Sequence, residues 1–446
     1  MTISMRHILL KPICYAEIYL CVIAVLFFFG PIRWEQHNLF YFSFLLFLYY
    51  YFFWKGYHLA INSSKVSTWY WHEDQVIHFL NKMIIVNLVF TMIAAIRYIG
   101  LQSFSITAMV NSVILGVIDA GVAYKNKFDS GGELYGGAFF SSIYVFLAPL
   151  LYPILPLAMF YFGKLKLRNK IFFVLTVIIE IIRWVAVGTN KGVFDIFFII
   201  ITILFVKSSI RKISNVYTKR KSGWGKKVIV LLLFCLILGY FGNNISSRLG
   251  GKETINLSQM TLGEGAEYNP NSIFSLISPS EILPVFVFLD SYLTQGYYST
   301  SIAITETFTP MLGIGNSMFL IDNFNFLFDD KLLDYSYQAK IEKYGIDRFV
   351  NWHSFYTWVA NDVSFLGVVF VMFLLGYLGG AIYKDVLYTR NPIAIVLFCL
   401  FTQIVLYIPA NNQIFAQPIS FMAFVCLLMM WLIRRYRLKV GKYYII

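Results

Sequence analysis

The sequence has 446 residues, 59% of them apolar and only 13% charged, with a net charge of +13. Because an ordinary soluble domain is about a quarter charged, this composition excludes a soluble globular protein. The basic residues cluster beside apolar runs, as they do in the cytoplasmic loops of membrane proteins. This placement argues against nucleic acid as a partner.

Ten apolar runs follow one another along the chain, most of them long enough to cross a hydrocarbon core of about 30 Å. They cover residues 13–30, 38–55, 80–99, 138–162, 169–187, 191–208, 227–243, 363–384, 391–409 and 413–433. We therefore predict an all-α fold, a polytopic transmembrane helical bundle of about ten spans and possibly eleven. A β-barrel would instead require alternating strands of about ten residues.

The segment 104–122 decides between ten and eleven spans. Both chain ends are basic, and so are the connectors 164–170 and 207–227, which predicts that all four lie on the cytoplasmic side. Ten spans satisfy this requirement and an eleventh does not. Because the apolar residues of 104–122 recur at helical spacing opposite a polar face, we expect an interfacial helix there. A re-entrant segment is the alternative.

The same count divides the chain into three parts. Residues 1–243 form an N-terminal bundle of seven spans, and residues 363–446 form the last three spans and a basic cytoplasmic tail. Residues 244–362 form one large external loop, which carries 13 of the 23 acidic residues but only six of the 36 Lys and Arg. This charge asymmetry favours an external location, and the loop is apolar enough to contain short helices.

A glycine-flanked turn at residues 188–192 separates the fifth and sixth spans. The free N–H groups of a helix N-terminus attract anions, and Asn190 and Lys191 lie at that position. The functional interpretation is a seat for a pyrophosphate. The structural interpretation is a tight helical hairpin whose lysine extends to the interface.

Three charged residues are predicted close to this turn. Glu180 and Arg183 share one helical face, and Arg97 lies near the outer end of the third span. Charges inside a membrane usually face the bundle interior or a cavity. They can bind a ligand, or Glu180 and Arg183 can form a structural ion pair.

The end of the external loop contains Arg348, Trp352 and His353. His353 is the only histidine between residues 244 and 362, and a histidine can act as a general base near neutral pH. Trp352 can stack on a sugar ring or belong to an interfacial aromatic belt.

A polar and aromatic patch precedes it, at Asp290, Gln295, Tyr297 and Tyr298, and is followed by the glycine-rich residues 313–317. Side chains of these types can bind carbohydrate hydroxyls. The glycines lack the spacing of a dinucleotide fingerprint. No metalloprotease, hydrolase or phosphate-loop motif occurs, and residues 31–37 lack a paired-acid metal motif, so we expect neither a metal nor a cofactor.

These features together resemble the Wzy-type O-antigen polymerases (oligosaccharide repeat unit polymerases). The architecture is similar, and residues 188–192 resemble the family's Gly-Thr/Ser-Arg turn, with Lys191 in place of arginine. Residues 293–317 resemble a loop pattern of these polymerases. Residues 357–367 resemble the family's entry into the span that follows, with Ser364 in place of a glycine.

The resemblance implies an inverting, metal-independent glycosyl transfer between oligosaccharides linked to undecaprenyl pyrophosphate. His353 or Asp290 would deprotonate the acceptor hydroxyl. The resemblance and the motifs assign substrate binding to Arg97, Arg183, Asn190, Lys191, Gln295, Tyr297, Tyr298, Arg348 and Trp352. The expected location is the bacterial inner membrane, with both termini cytoplasmic, and the expected partners are membrane lipids and a chain-length regulator protein.

Three alternatives stay open. An O-antigen ligase has a similar plan but passes the glycan to a lipid A-core acceptor. A flippase for lipid-linked oligosaccharides usually shows internal repeats and short loops, and neither is found here. A purely structural membrane scaffold would not require the cations and the histidine.

Overall fold

The computed structural model describes residues 3–35, 37–67, 71–101, 105–129, 138–214, 237–244, 265–280, 282–328 and 331–436, with the single positions 232, 235 and 257. This part of the chain is almost wholly helical, with one two-stranded sheet. In the first half the helices are α1 (Ile3–Phe29), α2 (Leu39–Asn62), α3 (Glu73–Ile99), α4 (Ile106–Ile118), α5 (Ala120–Asp129), α6 (Ala138–Leu151), α7 (Ile154–Tyr161), α8 (Leu167–Ala186) and α9 (Lys191–Ser214).

The second half continues the helical pattern with shorter elements between long ones. Its helices are α10 (Ile273–Ile277), α11 (Leu283–Ala303), α12 (Met318–Phe328), α13 (Tyr337–Lys340), α14 (Phe355–Thr389), α15 (Pro392–Tyr407), α16 (Gln413–Ala416) and α17 (Pro418–Tyr436). The strands β1 (Ile32–Trp34) and β2 (Ala266–Tyr268) pair antiparallel, with Ile32 opposite Tyr268.

Six helices of the described part are long and apolar enough to cross a membrane, which confirms the predicted all-helical, multi-span class. They are Met5–Phe29, Glu73–Ile99, Phe140–Lys164, Lys191–Ile213, Phe355–Thr389 and Pro418–Tyr436. Three further predicted spans coincide with α2, α8 and α15. The hydropathy of α2 and α8 is lowered by tyrosines and charges, and α15 has only 16 residues. The total of ten spans stays a prediction.

Some predictions lie outside the described residues. The basic connector from residue 215 to 226 and the basic tail from residue 437 onward fall there, and so do residues 227–231, 233, 234 and 236 of the predicted span 227–243. So does the first stretch of the external loop, residues 245–264, apart from position 257.

Helix α4 coincides with the ambiguous segment 104–122. It has 13 residues, or about 20 Å at 1.5 Å per residue, which is shorter than the hydrocarbon core. Ile106 and Ile118 at its two ends are 68% and 75% exposed. This length accords with the interfacial helix that we predict there.

The chain divides into two compact units. The first comprises residues 1–66, 256–388 and 400–421, and the second comprises residues 67–255, 389–399 and 422–446. In the first unit α2 packs against α14 at glycines. A Cβ on Gly56 would lie 2.0 Å from the Phe373 carbonyl oxygen, and one on Gly376 would lie 2.0 Å from that of Phe53. Small residues of this kind let membrane helices approach closely.

Helix α14 is broken at Ser364, whose φ of 62° and ψ of 166° are not helical. Backbone carbonyls on both sides of the break have partners outside α14. The Asn361 carbonyl accepts a hydrogen bond from the Met311 N–H at 3.0 Å, and the Phe365 carbonyl accepts one from the Tyr49 hydroxyl at 2.7 Å.

In the second unit α3 and α4 both pack against α8. Asn169 Nδ2 donates to Asn81 Oδ1 at 2.6 Å and joins α8 to α3. A Cβ on Gly116 would lie 1.9 Å from the Val185 carbonyl oxygen, so α4 crosses α8 at close range. These contacts position the turn that follows α8.

Candidate functional site

The turn between α8 and α9 is a tight helical hairpin. Gly188 has φ +61°, and its N–H donates to the Val185 carbonyl at 2.9 Å while the Thr189 N–H donates to that of Trp184 at 3.1 Å. These two bonds form a Schellman motif, which terminates a helix with a left-handed residue. A Cβ on Gly192 would lie 1.9 Å from Trp184 Nε1. Helix termination and packing therefore account for both glycines.

Lys191 and Asn190 already have partners in the second unit. Lys191 Nζ lies 2.6 Å from Asp195 Oδ2, one helical turn further along α9. Asn190 Oδ1 accepts a hydrogen bond from Asn244 Nδ2 at 2.6 Å. Asp195 was missed by the sequence reasoning, although its i,i+4 spacing from Lys191 was a visible signal.

Arg183 and Lys191 are brought together over the indole ring of Trp184. The Arg183 guanidinium lies 5.0 Å from the ring centroid and Lys191 Nζ lies 5.9 Å from it. Arg183 also forms an ion pair with Glu180 at 2.6 Å. Arg97 lies 5.0 Å from the ring centroid of Phe140. The predicted cluster of cations thus exists in part, and carboxylates compensate two of its charges.

The same unit contains an apolar cavity of about 350 Å³ between α3, α4 and α8. It is lined by Met92 of α3, by five residues of α4, and by Ile179 and Ile182 of α8, with no polar side chain among them. Arg183 follows Ile179 by one helical turn and lies on the same face of α8. The second unit therefore places a cation next to a cavity that suits a hydrocarbon chain.

In the first unit, Asp290 is a buried carboxyl group on α11. Its exposed fraction is 0%, and neither carboxyl oxygen forms a regular hydrogen bond with the described residues. A Cβ on Gly30 would lie 2.9 Å from Asp290 Oδ2. Burial raises the pKa of Asp290 to about 8, against a smaller opposing effect of the Ile32 N–H. Asp290 is therefore mostly protonated at neutral pH.

His353 is also buried, with 1% of its surface exposed. Neither ring nitrogen forms a regular hydrogen bond with the described residues. Burial lowers the pKa of His353 to about 4, against smaller opposing effects of Asp347 and Glu342. His353 is therefore neutral near pH 7, and the same burial makes its ring a weaker base than that of an exposed histidine.

The other predicted binding residues of α11 are mostly engaged within the fold. Gln295 Oε1 accepts a hydrogen bond from the Trp352 N–H at 3.0 Å. The Tyr297 hydroxyl lies 2.9 Å from that of Tyr50, and Tyr298 stacks on Trp34 with 4.8 Å between ring centroids. Tyr297 and Tyr298 are buried, so they build the core beside the patch, whereas Trp352 keeps part of its surface exposed.

Arg348 lies in a network of acids on the external loop. Its Nε donates to Glu342 Oε1 at 2.7 Å, and its other nitrogens contact Glu342 and Asp334. These carboxylates raise the pKa of Arg348 further above its usual range. Arg348 is thus neutralised by two acids that the sequence reasoning did not connect to it.

Asp362 joins two of the patterns on which the family resemblance rests. Its Oδ1 accepts hydrogen bonds from the N–H groups of Gly313 and Gly315 at 2.8 and 2.9 Å. Its Oδ2 accepts from the N–H and Nδ2 of Asn316 at 2.9 and 2.7 Å. The glycine-rich loop therefore wraps around one carboxylate at the start of α14. Sequence reasoning separated these two segments.

The turn before α16 completes this arrangement. Asn412 Nδ2 donates to the Asn316 carbonyl at 2.6 Å, and the Ser317 hydroxyl donates to that of Phe415 at 2.6 Å. The polar turn between the last two predicted spans thus contacts the far side of the loop that Asp362 holds.

Among the described residues no group of three or more His, Cys, Asp or Glu side chains could hold a metal ion. No protein-family model, no curated protein and no solved structure matches this chain.

Proposed function

We propose that this chain is a membrane-embedded glycosyltransferase that polymerises oligosaccharide repeat units carried on undecaprenyl pyrophosphate. The observation that carries the proposal is the apolar cavity of the second unit, which Ile182 lines next to Arg183, together with Lys191 over the same indole ring as Arg183. An isoprenoid chain matches the cavity, which has no polar lining, and a pyrophosphate matches the cations.

In this proposal the pyrophosphate displaces the carboxylates that now form ion pairs with the two cations. Arg183 is paired with Glu180 and Lys191 with Asp195, and each pair is partly buried. A pyrophosphate carries more negative charge than one carboxylate, and an arginine can bind it through two parallel hydrogen bonds. Asn190 directly precedes Lys191, and Arg97 lies in the last turn of α3 in the same unit; they would add neutral and charged donors.

The reaction that we propose is an inverting displacement at the anomeric carbon of the donor. The acceptor hydroxyl forms the new C–O bond as it loses its proton, and the bond from the sugar to the pyrophosphate breaks. The cations stabilise the charge that develops on the leaving pyrophosphate, so this leaving group requires no protonation.

Of the two candidate bases, which both lie in the first unit, only His353 is in a form that can accept a proton near pH 7. His353 is neutral near pH 7 with an unoccupied ring nitrogen, whereas Asp290 is mostly protonated. Asp290 can instead donate a hydrogen bond. The partly exposed Trp352 is the best candidate of the first unit for stacking on a sugar, because Tyr297 and Tyr298 are buried.

The location and partners follow from the same proposal. We place the protein in the bacterial inner membrane with both termini cytoplasmic, and the reaction on the opposite side. The substrates are two lipid-linked oligosaccharides, and a chain-length regulator is the expected protein partner.

Deletion of the gene in its host, followed by electrophoresis of the lipopolysaccharide, tests the proposal. Loss of the polymerase leaves a single repeat unit on the lipid core. Absence of O-antigen with accumulated lipid-linked polymer would identify a ligase instead. Absence of O-antigen without any external lipid-linked material would identify a flippase, and an unchanged ladder would refute all three.

Two substitutions of Lys191, expressed in the deletion strain, test the proposed pyrophosphate site. Lys191→Ala should reduce the ladder to short chains, while Lys191→Arg should retain it because the charge remains. Lys166→Ala is the matched control. Lys166 is exposed and directly precedes the N-terminus of α8, whereas Lys191 follows its C-terminus. Full ladders from Lys191→Ala would contradict the assignment of this site.

A further inference from the structure

Helix α10 exposes its aliphatic side chains and buries its serines, the opposite of what is expected on a surface that faces water. Its three aliphatic side chains Ile273, Leu276 and Ile277 are 72%, 71% and 71% exposed, whereas Ser272 and Ser275 are buried. A short helix on a water-soluble surface turns its serines outward and its aliphatic residues inward. The outer face of α10 is therefore built for an apolar environment.

The hydroxyl groups of the two buried serines are hydrogen-bonded within the protein. The arrangement with serines inside and aliphatic side chains outside is therefore a stable local structure. The Ser272 hydroxyl accepts a hydrogen bond from the Ser275 N–H at 3.0 Å and caps the helix. The Ser275 hydroxyl donates to the Asn269 carbonyl at 2.7 Å. On the inner side, Phe274 packs against Phe286 of α11 with 6.0 Å between ring centroids.

A backbone hydrogen bond and a few chain residues connect α10 to the C-terminal end of α1, which is long enough to span a membrane. Helix α1 ends at Phe29, which is 69% exposed, and the Pro31 carbonyl accepts a hydrogen bond from the Asn269 N–H at 2.8 Å. Ile273 follows Asn269 by four residues, which span at most about 14 Å. Helix α10 therefore lies at the depth where α1 leaves the hydrocarbon core.

The composition of this segment is suited to that depth. No charged residue occurs between Glu267 and Glu281, so insertion of α10 into the membrane interface buries no charge. We propose that α10 is a membrane anchor, whose side chains Ile273, Leu276 and Ile277 lie in the leaflet that surrounds the C-terminal end of α1. The partner of this surface is the lipid bilayer, and the anchor holds the start of α11, with Asp290, close to the membrane.

The test places a fluorophore on each side of the predicted lipid boundary. Leu276→Cys and the control Asn271→Cys are labelled with a nitrobenzoxadiazole maleimide and reconstituted as single copies in phosphatidylcholine nanodiscs. Asn271 is exposed and lies two residues before α10. Wild-type protein treated identically gives the background from the five native cysteines.

Phosphatidylcholine with a nitroxide on carbon 5 of its acyl chain should quench the label at position 276 at least threefold more than the label at position 271. Aqueous iodide should show the opposite preference. Quenching of position 276 by iodide alone would show that α10 faces water, and would overturn the proposal. Protection from both quenchers would show that protein covers the helix, and would overturn it equally.

Discussion

Replacement of Asp362 by alanine removes the acceptor of four hydrogen bonds to residues 313–316. Three of the donors are backbone N–H groups, at 2.8 to 2.9 Å from the carboxylate oxygens. A hydrogen bond to a charged group contributes about 1.5–3 kcal/mol. Three such bonds would add to more than 4 kcal/mol, but Gly313 is exposed and water can replace part of the loss. We therefore expect the loop to open more easily by about 3 kcal/mol.

Hydrogen–deuterium exchange of the backbone amides measures this change directly. Because 1.4 kcal/mol corresponds to a factor of ten, the amides of residues 313, 315 and 316 should exchange about 100-fold faster in Asp362→Ala. The exchange rates of Asp362→Asn should lie between those of the wild type and Asp362→Ala. The asparagine keeps one acceptor oxygen, but its N–H₂ group faces Asn316.

Asp347→Ala is the matched control. The Asp347 carboxylate accepts hydrogen bonds from the N–H groups of Phe349 and Val350 at 2.7 and 2.9 Å, so its loss loosens a different turn. Exchange at residues 313–316 should be unchanged in this variant. If Asp362→Ala exchanges within twofold of the wild type there, the carboxylate does not hold the loop, and the reasoning fails.

Three further predictions concern stability, measured as thermal unfolding of the purified protein in detergent. Gly188→Ala should destabilise by at least ~2 kcal/mol, because φ is +61° and the new Cβ would lie 2.3 Å from a backbone oxygen. Gly163→Ala, which meets nothing within 4 Å, should be nearly neutral. Ser364→Gly should stabilise by about 1 kcal/mol, because φ 62° and ψ 166° suit glycine; a lower unfolding temperature would contradict this. Asp290 has a pKa of about 8 when folded and about 4 when unfolded, so its stabilising contribution is full below pH 4 and is lost as the pH rises to 8. In Asp290→Asn the loss of folding stability between pH 4 and pH 8 should be smaller than in the wild type. If the variant and the wild type show the same pH dependence of stability, ionisation of Asp290 is not its cause.

The helices were predictable because a membrane imposes strong demands on length and apolarity. Runs such as 13–30 and 80–99 read directly as spans, and α1 and α3 lie there. The turn at residues 188–192 was likewise expected between two helices. A hydrocarbon environment leaves the backbone few alternatives, so local sequence suffices for this level of structure.

The contacts that build the site were not predictable, because they join residues far apart in sequence. Asp362 binds groups 46 to 49 positions away, and no periodicity reports such a pairing. The sequence also could not show that acids neutralise Arg348, or that Tyr297 packs inside. Lys191 is the exception, since Asp195 lies one turn away and signalled its partner.

The break at Ser364 divides α14 into two parts that have different partners within the first unit. Before it, Phe355 donates to the Ile408 carbonyl at 3.0 Å, and Asn361 and Asp362 hold the loop. After it, about 25 residues remain, which at 1.5 Å each still cross a bilayer. The first two turns are therefore hydrogen-bonded to the loop, and the rest packs against α2 at its glycines. The segment of α14 that binds the loop and the segment that is long enough to span a membrane are therefore joined through a single non-helical residue.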